Sequence, residues 1–418
     1  MEDFRLMAPD IRLGFAKTLK QSLMAYAFNV FGIVAGTLVA YYSGLFQRLP
    51  WAVVIYPPIL SARGVIGGLF CGRLSTALHL GTVQPRFFGN TKSFYLLFQA
   101  IVFLTFEASL LMGLVAVLFR AIYFGMFTSE LWDMVNVLMA TMALALIVIS
   151  PLTLTVSFLS FKHGLDPDII LYPVESTISD LLITAIYVSV LNLHVMRSSF
   201  LYFLFASSLA LLFTSLYILA RNIQEPEFTK TLKESLLTLL IVSFIINVAG
   251  TVLGRVDELI REKHEVYEAY PVYVVYPALI DTIGDVGSVV GSTATTKLAL
   301  GTLKASFSSI KNHLTEVSGA WAASLVMYFA YSILALAIRG TLSLVKIAKF
   351  SLLLFTVNVL AAALIILVSY SVAIITYQNG LDPDNFEIPI ESSLADTLTT
   401  ISLFVALTFW TWVWIQPF

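Results

Sequence analysis

Residues 164–180 read GLDPDIILYPVESTISD and residues 380–396 read GLDPDNFEIPIESSLAD, with nine of seventeen positions identical. In both copies the motif leads into a long apolar run and ends on an aspartate, Asp180 or Asp396. A carboxylate inside such a run is costly unless it faces a cavity or a partner group. The duplication leads to the hypothesis that the chain holds two copies of one ion-binding element.

The composition identifies the class of protein around these two motifs. The chain has 418 residues, of which 58% are hydrophobic and only 12% charged, and its mean hydropathy is +0.88. Soluble proteins carry about 25% charged residues. Apolar runs of roughly 18 residues or more recur, long enough to cross a bilayer as helices and too long for the strands of a membrane barrel. We predict an all-α polytopic membrane protein.

Charge, cysteine content and missing motifs exclude several other classes. The net charge is −2 and no long run of like charge occurs, so no nucleic-acid partner is expected. Cys71 is the only cysteine, which excludes intramolecular disulfides and thiolate metal clusters. The sequence contains no glycine-rich phosphate loop, no HExxH among its five histidines and no Gly-x-Ser-x-Gly, so we do not expect an enzyme.

Hydropathy predicts eleven transmembrane helices. Residues 1–20 mix basic and apolar side chains and are predicted to form an interfacial helix ahead of the first span. The spans are predicted near residues 22–46, 52–76, 94–120, 131–160, 173–196, 199–220, 234–254, 272–297, 314–338, 343–376 and 389–414.

A second duplication arranges these spans in two repeats. Residues of the second span recur 220 residues later. The repeated positions are Tyr56-Pro57, Gly64 and Gly67 in the first half and Tyr276-Pro277, Gly284 and Gly287 in the second. A looser match joins the first spans, at Ala35-Gly36 and Ala249-Gly250. We predict a five-helix repeat over 21–197, a linker transmembrane helix over 198–222 and a second five-helix repeat over 223–418.

The linker helix decides the relative orientation of the repeats. A five-span unit ends on the membrane side opposite its start, so one added crossing makes two such units parallel, related by a pseudo-two-fold axis along the membrane normal. Lys and Arg are more frequent in the segments placed inside when the N-terminus is cytoplasmic and the C-terminus outside. We expect a multi-pass protein of the plasma membrane in this orientation.

The fifth helix of each repeat is predicted to begin at Pro173 or Pro389, because proline suits a first helical turn. Asp180 and Asp396 would then lie about 10 Å along the helix axis. Helical periodicity puts hydroxyl side chains on the same stripe as each aspartate. The hydroxyl residues are Ser176 or Thr177 together with Thr184 in the first copy, and Ser392 or Ser393 together with Thr400 in the second.

The acidic residues also have structural interpretations. For Asp180 and Asp396 the alternative to ion binding is an intramembrane basic partner such as Arg63 or Lys297. No repeated cation matches both aspartates, so ion binding is the favoured interpretation.

The other acids of the motif are less specific signals. Glu175 and Glu391 lie roughly 140° around the helix from the aspartates. The helix dipole alone favours a glutamate in a first turn. Four further aspartates lie in loops beside prolines, where Asp commonly caps a turn. They are Asp166, Asp168, Asp382 and Asp384.

The second span of each repeat could contribute backbone ligands. Tyr276-Pro277 and Gly284-Asp285-Val286-Gly287 are predicted to break the helix, and carbonyl groups freed at Gly284 and at Gly64 of the first repeat could then bind an ion. The alternative is close packing of the glycines against another helix. Asp285 has Val65 as its counterpart, so any site here is asymmetric.

Taken together, these motifs resemble the MgtE and solute carrier family 41 superfamily of divalent-cation transporters, over nearly all of residues 20–415. The matching features are RLST and Leu-Gly closing the second span, Gly-Asp-Val-Gly where the family often has Gly-Asn-x-Gly, and Asp-Pro-Asp, Pro and Ser-x-x-Asp in both fifth spans. The resemblance implies that Asp180 and Asp396 correspond to the pore aspartate that binds hydrated Mg²⁺. Asp285 and nearby backbone would be supporting ligands, and Val65 departs from the family pattern.

The resemblance also bears on regulation. The bacterial relatives carry cytoplasmic sensor and CBS domains, and no soluble stretch of this sequence is long enough to hold them. Gating by such domains is therefore not expected here.

The expected function is transport of Mg²⁺ or a related divalent cation through a pore between the two repeats. Mg²⁺ keeps several waters and usually binds one or two carboxylates, whereas a transition metal would favour His or Cys. Two alternatives remain open: a proton- or sodium-coupled carrier of a small organic solute that uses the same aspartates, and a membrane scaffold with its acids in structural pairs. Because one chain supplies both repeats, we expect a functional monomer in the lipid bilayer.

Overall fold

The computed structural model describes the backbone of residues 3–125, 128–163, 167–196, 200–263, 267, 270–379 and 383–415. No β-strand occurs among these residues. The first α-helices are α1 (Asp3–Tyr26), α2 (Val30–Tyr41), α3 (Ser43–Arg48), α4 (Pro50–His79), α5 (Lys92–Phe124), α6 (Thr128–Lys162) and α7 (Pro167–Met196). The remaining ones are α8 (Phe200–Asn222), α9 (Pro226–Glu262), α10 (Val272–Ala299), α11 (Leu314–Ile338), α12 (Leu344–Gln378) and α13 (Pro383–Ile415). Short 3₁₀ helices form at Ala27–Asn29 and Phe307–His313.

Eleven helical segments within the described ranges are long and apolar enough to cross a membrane, which confirms the predicted all-α polytopic fold. The first of them runs over Gly14–Tyr41, so it begins inside α1 and continues through the 3₁₀ turn into α2. The segment predicted as a separate interfacial helix is thus continuous with the first span. Its place at the membrane surface stays a prediction.

The second span of each repeat is an unbroken helix, so the predicted breaks are wrong. Helix α4 runs through Pro57 and Pro58, and α10 runs through Pro277 and on past Gly284. A proline removes one helical N–H but does not have to end a membrane helix when neighbouring groups satisfy the freed carbonyl. None of the glycines of the two motifs, Gly64, Gly67, Gly284 and Gly287, has a positive φ angle, so their backbone stays helical.

The chain folds into two compact units that do not coincide with the sequence repeats. One, the Asp180 unit, consists of Leu38–Gly254, and the other, the Asp396 unit, consists of Met1–Thr37 together with Arg255–Phe418. Each unit therefore takes the membrane span that opens the other repeat. The bounds of the two sequence repeats and of the linker helix stay a prediction, at residues 21–197, 223–418 and 198–222 respectively.

Glycine contacts hold the exchanged span in each unit. In the Asp396 unit, a Cβ added to Gly36 would overlap the carbonyl oxygens of Tyr273 and Val274. In the Asp180 unit, a Cβ added to Gly250 would overlap the carbonyl oxygen of Val54. Each contact involves a carbonyl that has lost its helical donor, because a proline lies four residues after Tyr273 and after Val54. Close Cα–H···O contacts of this kind favour small residues between membrane helices.

The linker helix α8 is docked within the Asp180 unit by polar as well as apolar contacts. The Ser208 hydroxyl donates to Asn136 Oδ1 at 2.9 Å, and Asn222 Nδ2 donates to Gln99 Oε1 at 2.5 Å. Leu211 belongs to the same buried apolar cluster as residues of α5 and α6. The predicted linker is therefore an integral helix of this unit.

Candidate functional site

The fifth helix of each repeat begins earlier than its sequence predicts. Helices α7 and α13 begin at Pro167 and Pro383, the prolines of the two Asp-Pro-Asp motifs, so Pro173 and Pro389 lie within helices. A backbone N–H at the first helical position has no partner within the helix, so a proline, which lacks the N–H, fits there. Pro167 and Pro383 take this position six residues before Pro173 and Pro389. Thirteen residues separate each start from its aspartate, which places the carboxylate about 20 Å along the axis.

Both predicted aspartates are buried, each only 8% exposed. In the Asp180 unit, Arg63 Nη1 lies 3.3 Å from Asp180 Oδ1, and the Arg63 side chain is itself 5% exposed. The intramembrane basic partner considered as the structural alternative is therefore present for Asp180. Lys297, the other candidate partner, lies in the Asp396 unit and pairs with Glu316 at 2.8 Å.

The surroundings of Asp396 differ from those of Asp180. The position that matches Arg63 in the second repeat is Ile283, which is fully buried. The Thr400 hydroxyl donates to the backbone carbonyl of Asp396 at 2.6 Å. The equivalent position of the second span thus holds a cation, Arg63, in the Asp180 unit and an aliphatic side chain, Ile283, in the Asp396 unit.

Glu391 is buried within the Asp396 unit and packs where a glycine makes room for it. The Ser369 hydroxyl donates to Glu391 Oε1 at 2.5 Å. A Cβ added to Gly287 would overlap that same carboxylate oxygen. One glycine of the Gly-Asp-Val-Gly motif therefore serves close packing, the alternative that the sequence left open. Gly284 faces Ala395 at an ordinary contact distance of 3.8 Å from a built Cβ.

Asp285 is held by a residue from the exchanged span. Asn29 Nδ2 donates to Asp285 Oδ2 at 2.7 Å and to Thr282 Oγ1 at 3.2 Å. The Tyr331 hydroxyl lies 2.9 Å from the same threonine oxygen. This polar cluster lies inside the Asp396 unit.

The two threonines of the predicted stripes bond to the tyrosines of the Tyr-Pro motif. The hydroxyl oxygens of Tyr56 and Thr184 lie 3.0 Å apart, and those of Tyr276 and Thr400 lie 2.9 Å apart. Each bond connects the second helix of a repeat to its fifth helix. The tyrosines were not predicted as site residues, although their repetition beside Pro57 and Pro277 was the signal that could have identified them.

Several predicted site residues take no described part in these contacts. The side chains of Glu175 and Ser176 lie outside the described residues, as do those of the four aspartates of the Asp-Pro-Asp motifs. The predicted loop position is wrong for Asp168 and Asp384, whose backbone lies in the first turn of α7 and of α13. Ser392 is half-buried. Around Gly64, no atom lies within 4 Å of a built Cβ, and the helical break expected to free its carbonyl and that of Gly284 is absent.

Across the described part of the chain, no group of three or more His, Cys, Asp or Glu could hold a metal ion.

The family model for MgtE, a divalent cation transporter, matches residues 56–190 and 276–406. No match was found among curated proteins or solved structures. The two matched regions begin at the two tyrosines of the Tyr-Pro motif and together cover more than half of the chain. The chain therefore belongs to the MgtE family of divalent cation transporters.

Proposed function

We propose that this chain carries Mg²⁺, or a hard divalent cation of similar hydration, along a path marked by Asp396 and its counterpart Asp180. The observation that carries the proposal is the burial of one aspartate at the same register of each fifth helix, inside an apolar segment. A charged side chain at such a depth in a membrane lines a transport pathway or pairs with a group of opposite charge. Membership of a divalent cation transporter family supports a cation as the cargo.

The ligand chemistry favours an ion that keeps its water. The described residues contain no cluster of three or more His, Cys, Asp or Glu side chains, the groups on which a site for dehydrated Ca²⁺ or a transition metal mainly depends. Mg²⁺ dehydrates reluctantly and binds through one or two carboxylates while keeping several waters. The proposed binding is therefore of a hydrated ion, with protein oxygens outside its water shell.

We assign Asp396 as the principal carboxylate and Asp285 and Glu391 as supporting acids. Glu175, Ser176 and Ser392 are assigned to the outer shell from their positions in the repeated motif. Thr184 and Thr400 are better explained as helix contacts, because their hydroxyls bond to Tyr56 and Tyr276.

The cellular setting follows from the sequence and is part of the proposal. We propose a multi-pass protein of the plasma membrane with a cytoplasmic N-terminus and an external C-terminus. A monomer is sufficient in this proposal, because the duplication supplies two copies of the acidic helix within one chain. No soluble domain is required for it to conduct.

The test is Mg²⁺ uptake into proteoliposomes that contain the purified full chain and an internal Mg²⁺ indicator. Asp396→Ala is expected to reduce uptake at least tenfold while the protein remains folded and inserted. Glu262→Ala is the control, because this acid is exposed and ends α9 rather than lying on a fifth helix. Hexaamminecobalt, which mimics hydrated Mg²⁺, should inhibit uptake by the wild-type chain.

Two results would overturn the proposal. One is unchanged Mg²⁺ uptake in both Asp396→Ala and Asp180→Ala. The other is a wild-type chain that shows no Mg²⁺ uptake but a proton- or sodium-dependent uptake of an organic solute that Asp396→Ala abolishes.

A further inference from the structure

His313 is a fully buried histidine whose two ring nitrogens face different kinds of group. Its side chain is 0% exposed, and it ends the 3₁₀ helix that leads into α11. Nε2 lies 3.1 Å from the Val290 carbonyl oxygen and 3.1 Å from Thr293 Oγ1, both on α10. Nδ1 lies 3.4 Å from Glu316 Oε2 on α11 and makes no hydrogen bond within the described residues. The imidazole therefore lies between α10 and α11.

The contacts of Nε2 determine which nitrogen carries the proton of the neutral ring. A carbonyl oxygen can only accept, and the Thr293 hydroxyl already donates to the Val289 carbonyl oxygen, so Nε2 must be the donor. In the neutral ring Nδ1 then presents a lone pair to the Glu316 carboxylate. A proton on Nδ1 would turn this contact into a charge-assisted hydrogen bond. Nδ1 is therefore the atom at which His313 can take up a proton.

The carboxylate that faces His313 also holds a lysine of α10. Lys297 Nζ lies 2.8 Å from Glu316 Oε2, the same oxygen that faces Nδ1. The side chain of Lys297 is 28% exposed and that of Glu316 is 19% exposed, so solvent protons can reach the pair. Two cations at one oxygen repel each other. A charged His313 would therefore weaken the bridge that Lys297 makes from α10 to α11.

The charges around His313 are few. Within the described part of the chain, Glu316 and Lys297 are the charged side chains that act on the imidazole. Tyr370 of α12 places its ring centroid 5.8 Å from that of His313, and Lys311 of the same 3₁₀ helix is exposed. Burial and Lys297 oppose a charge on the imidazole, whereas Glu316 favours it. Protonation of His313 and the position of Glu316 therefore depend on each other.

The first repeat folds without this cluster. At the offset of 220 that relates the second spans, Ser93 stands at the position of His313, Ala77 at that of Lys297 and Leu96 at that of Glu316. The three side chains are thus not part of the duplicated framework, which favours a role beyond packing.

We propose that His313 Nδ1 and Glu316 Oε2 form a proton-binding site that makes α10 responsive to acid. A bound proton weakens the bridge from Lys297, which ties the end of α10 to the start of α11. It also places a positive charge beside Val290, about 7.5 Å along α10 from Asp285, where it repels a divalent cation. Acid therefore lowers Mg²⁺ uptake through His313. The effect on uptake rests on the proposed function, whereas proton binding and the loosening of α10 do not.

The direct test is hydrogen–deuterium exchange of the full chain in lipid nanodiscs between about pH 5 and pH 8, corrected for the intrinsic effect of pH. In the wild type, amides at the end of α10 are expected to exchange about threefold faster or more in acid. His313→Gln keeps a nitrogen donor for Val290 and Thr293 but takes up no proton, so it should lose this response. His163→Gln is the control, because this histidine is exposed and follows α6, and it should keep the response.

Two further variants keep the test decisive if His313→Gln folds poorly. Lys297→Met and Glu316→Gln each remove the bridge without touching the imidazole. In both, the end of α10 is expected to exchange at every pH as fast as the wild type does in acid.

Mg²⁺ uptake into proteoliposomes over the same pH range measures the effect on transport. Acid can also protonate the aspartates of the proposed path, so the comparison is between wild type and His313→Gln. From about pH 7.5 to pH 6, the wild type is expected to lose roughly twofold to fivefold more of its uptake, because only it gains a charge beside α10.

The inference is overturned if the wild type shows no acid response at the end of α10, or if His313→Gln keeps it. It is also overturned if Lys297→Met exchanges as slowly as the neutral wild type, or if wild type and His313→Gln share one pH profile of uptake. If the exchange results are as expected but no chain takes up Mg²⁺, the proposed function fails and the proton-binding site stands.

Discussion

Asn29 donates a 2.7 Å hydrogen bond to the carboxylate of Asp285, although 256 residues separate the two in sequence. Asn29 ends the 3₁₀ segment between α1 and α2, and its own side chain is buried. The exchanged first span therefore supplies the donor that orients a carboxylate on α10. Without this donor the buried carboxylate would lose its fixed orientation. Removing a hydrogen bond to a charged group costs about 1–3 kcal/mol of free energy.

Asn29→Ala is accordingly expected to lower Mg²⁺ uptake about fivefold to tenfold and to raise the Mg²⁺ concentration for half-maximal uptake. Ser243→Ala is the matched control, since Ser243 holds the corresponding position on α9 and donates to Leu240 in its own helix. Proteoliposome uptake over a range of Mg²⁺ concentrations measures both quantities. Equal uptake by Asn29→Ala and Ser243→Ala would show that the Asn29 bond has no role in binding.

The eleven spans and the duplication could be predicted because they are local properties. Hydropathy over a window of one helix identifies a span, and identical residues at a constant offset identify a repeat. The deep burial of Asp180 and Asp396 follows from the same information. These predictions needed no knowledge of how the helices pack.

The exchange of first spans could not be predicted, because it depends on which helix a given face meets. Ala35-Gly36 and Ala249-Gly250 were visible as a weak repeat, but the sequence does not say that each glycine packs on the second span of the other repeat. The Asn29 partner was missed for the same reason. Arg63 was named only as one possible partner of Asp180, since distance in sequence does not reveal a contact.

Two local predictions that were based on proline were wrong. Prolines and glycines were expected to break α4 and α10, and the fifth helices were expected to begin at Pro173 and Pro389. In water such residues often end helices, whereas a membrane span keeps its backbone hydrogen bonds because lipid offers no alternative partner. Continuous helices through Pro57 and Pro277 are the result.

The glycine contacts of the exchanged spans make a prediction about stability. Gly36→Ala and Gly250→Ala would each force a methyl group into a carbonyl oxygen, so each should destabilise the chain by about 1–3 kcal/mol. Gly44→Ala is the control, because no atom lies within 4 Å of its built Cβ. Thermal unfolding in detergent, followed by tryptophan fluorescence, measures the difference. Unfolding temperatures equal to that of Gly44→Ala would contradict the packing described here.

The repeated Tyr–Thr bond makes a prediction about coupling between helices. Tyr276→Phe, Thr400→Val and the double variant form a cycle around the 2.9 Å contact. We expect a coupling energy of about 0.5–1.5 kcal/mol, near the upper range for hydrogen bonds between membrane helices. The same cycle at Tyr56 and Thr184 should give a similar value, because the contact is 3.0 Å and also buried. A coupling energy near zero in both cycles would show that the pairs do not hold the second and fifth helices together.

The buried Glu391 makes the last prediction, because two neighbours define its position independently. Ser369 donates to its carboxylate, and Gly287 leaves the space that the carboxylate occupies. Ser369→Ala removes the donor, whereas Ser369→Thr keeps a hydroxyl and copies Thr153, the residue at the corresponding position of the first repeat. We expect Mg²⁺ uptake to fall about tenfold in Ser369→Ala, because a hydrogen bond to a charged group contributes roughly 1.5–3 kcal/mol, and to recover largely in Ser369→Thr.

Gly287→Ala displaces the same carboxylate by a different route. Its methyl group would overlap Glu391 Oε1 and press on Ile365 and Ser369, so we expect a loss of about 1–3 kcal/mol of stability together with reduced uptake. Gly284→Ala, in the same motif, meets only Ala395 at 3.8 Å and should keep the wild-type unfolding temperature. If the two alanine variants unfold at the same temperature, Glu391 does not occupy the space beside Gly287. If instead Gly287→Ala is unstable but Ser369→Ala transports normally, Glu391 has a packing role and does not support the cation.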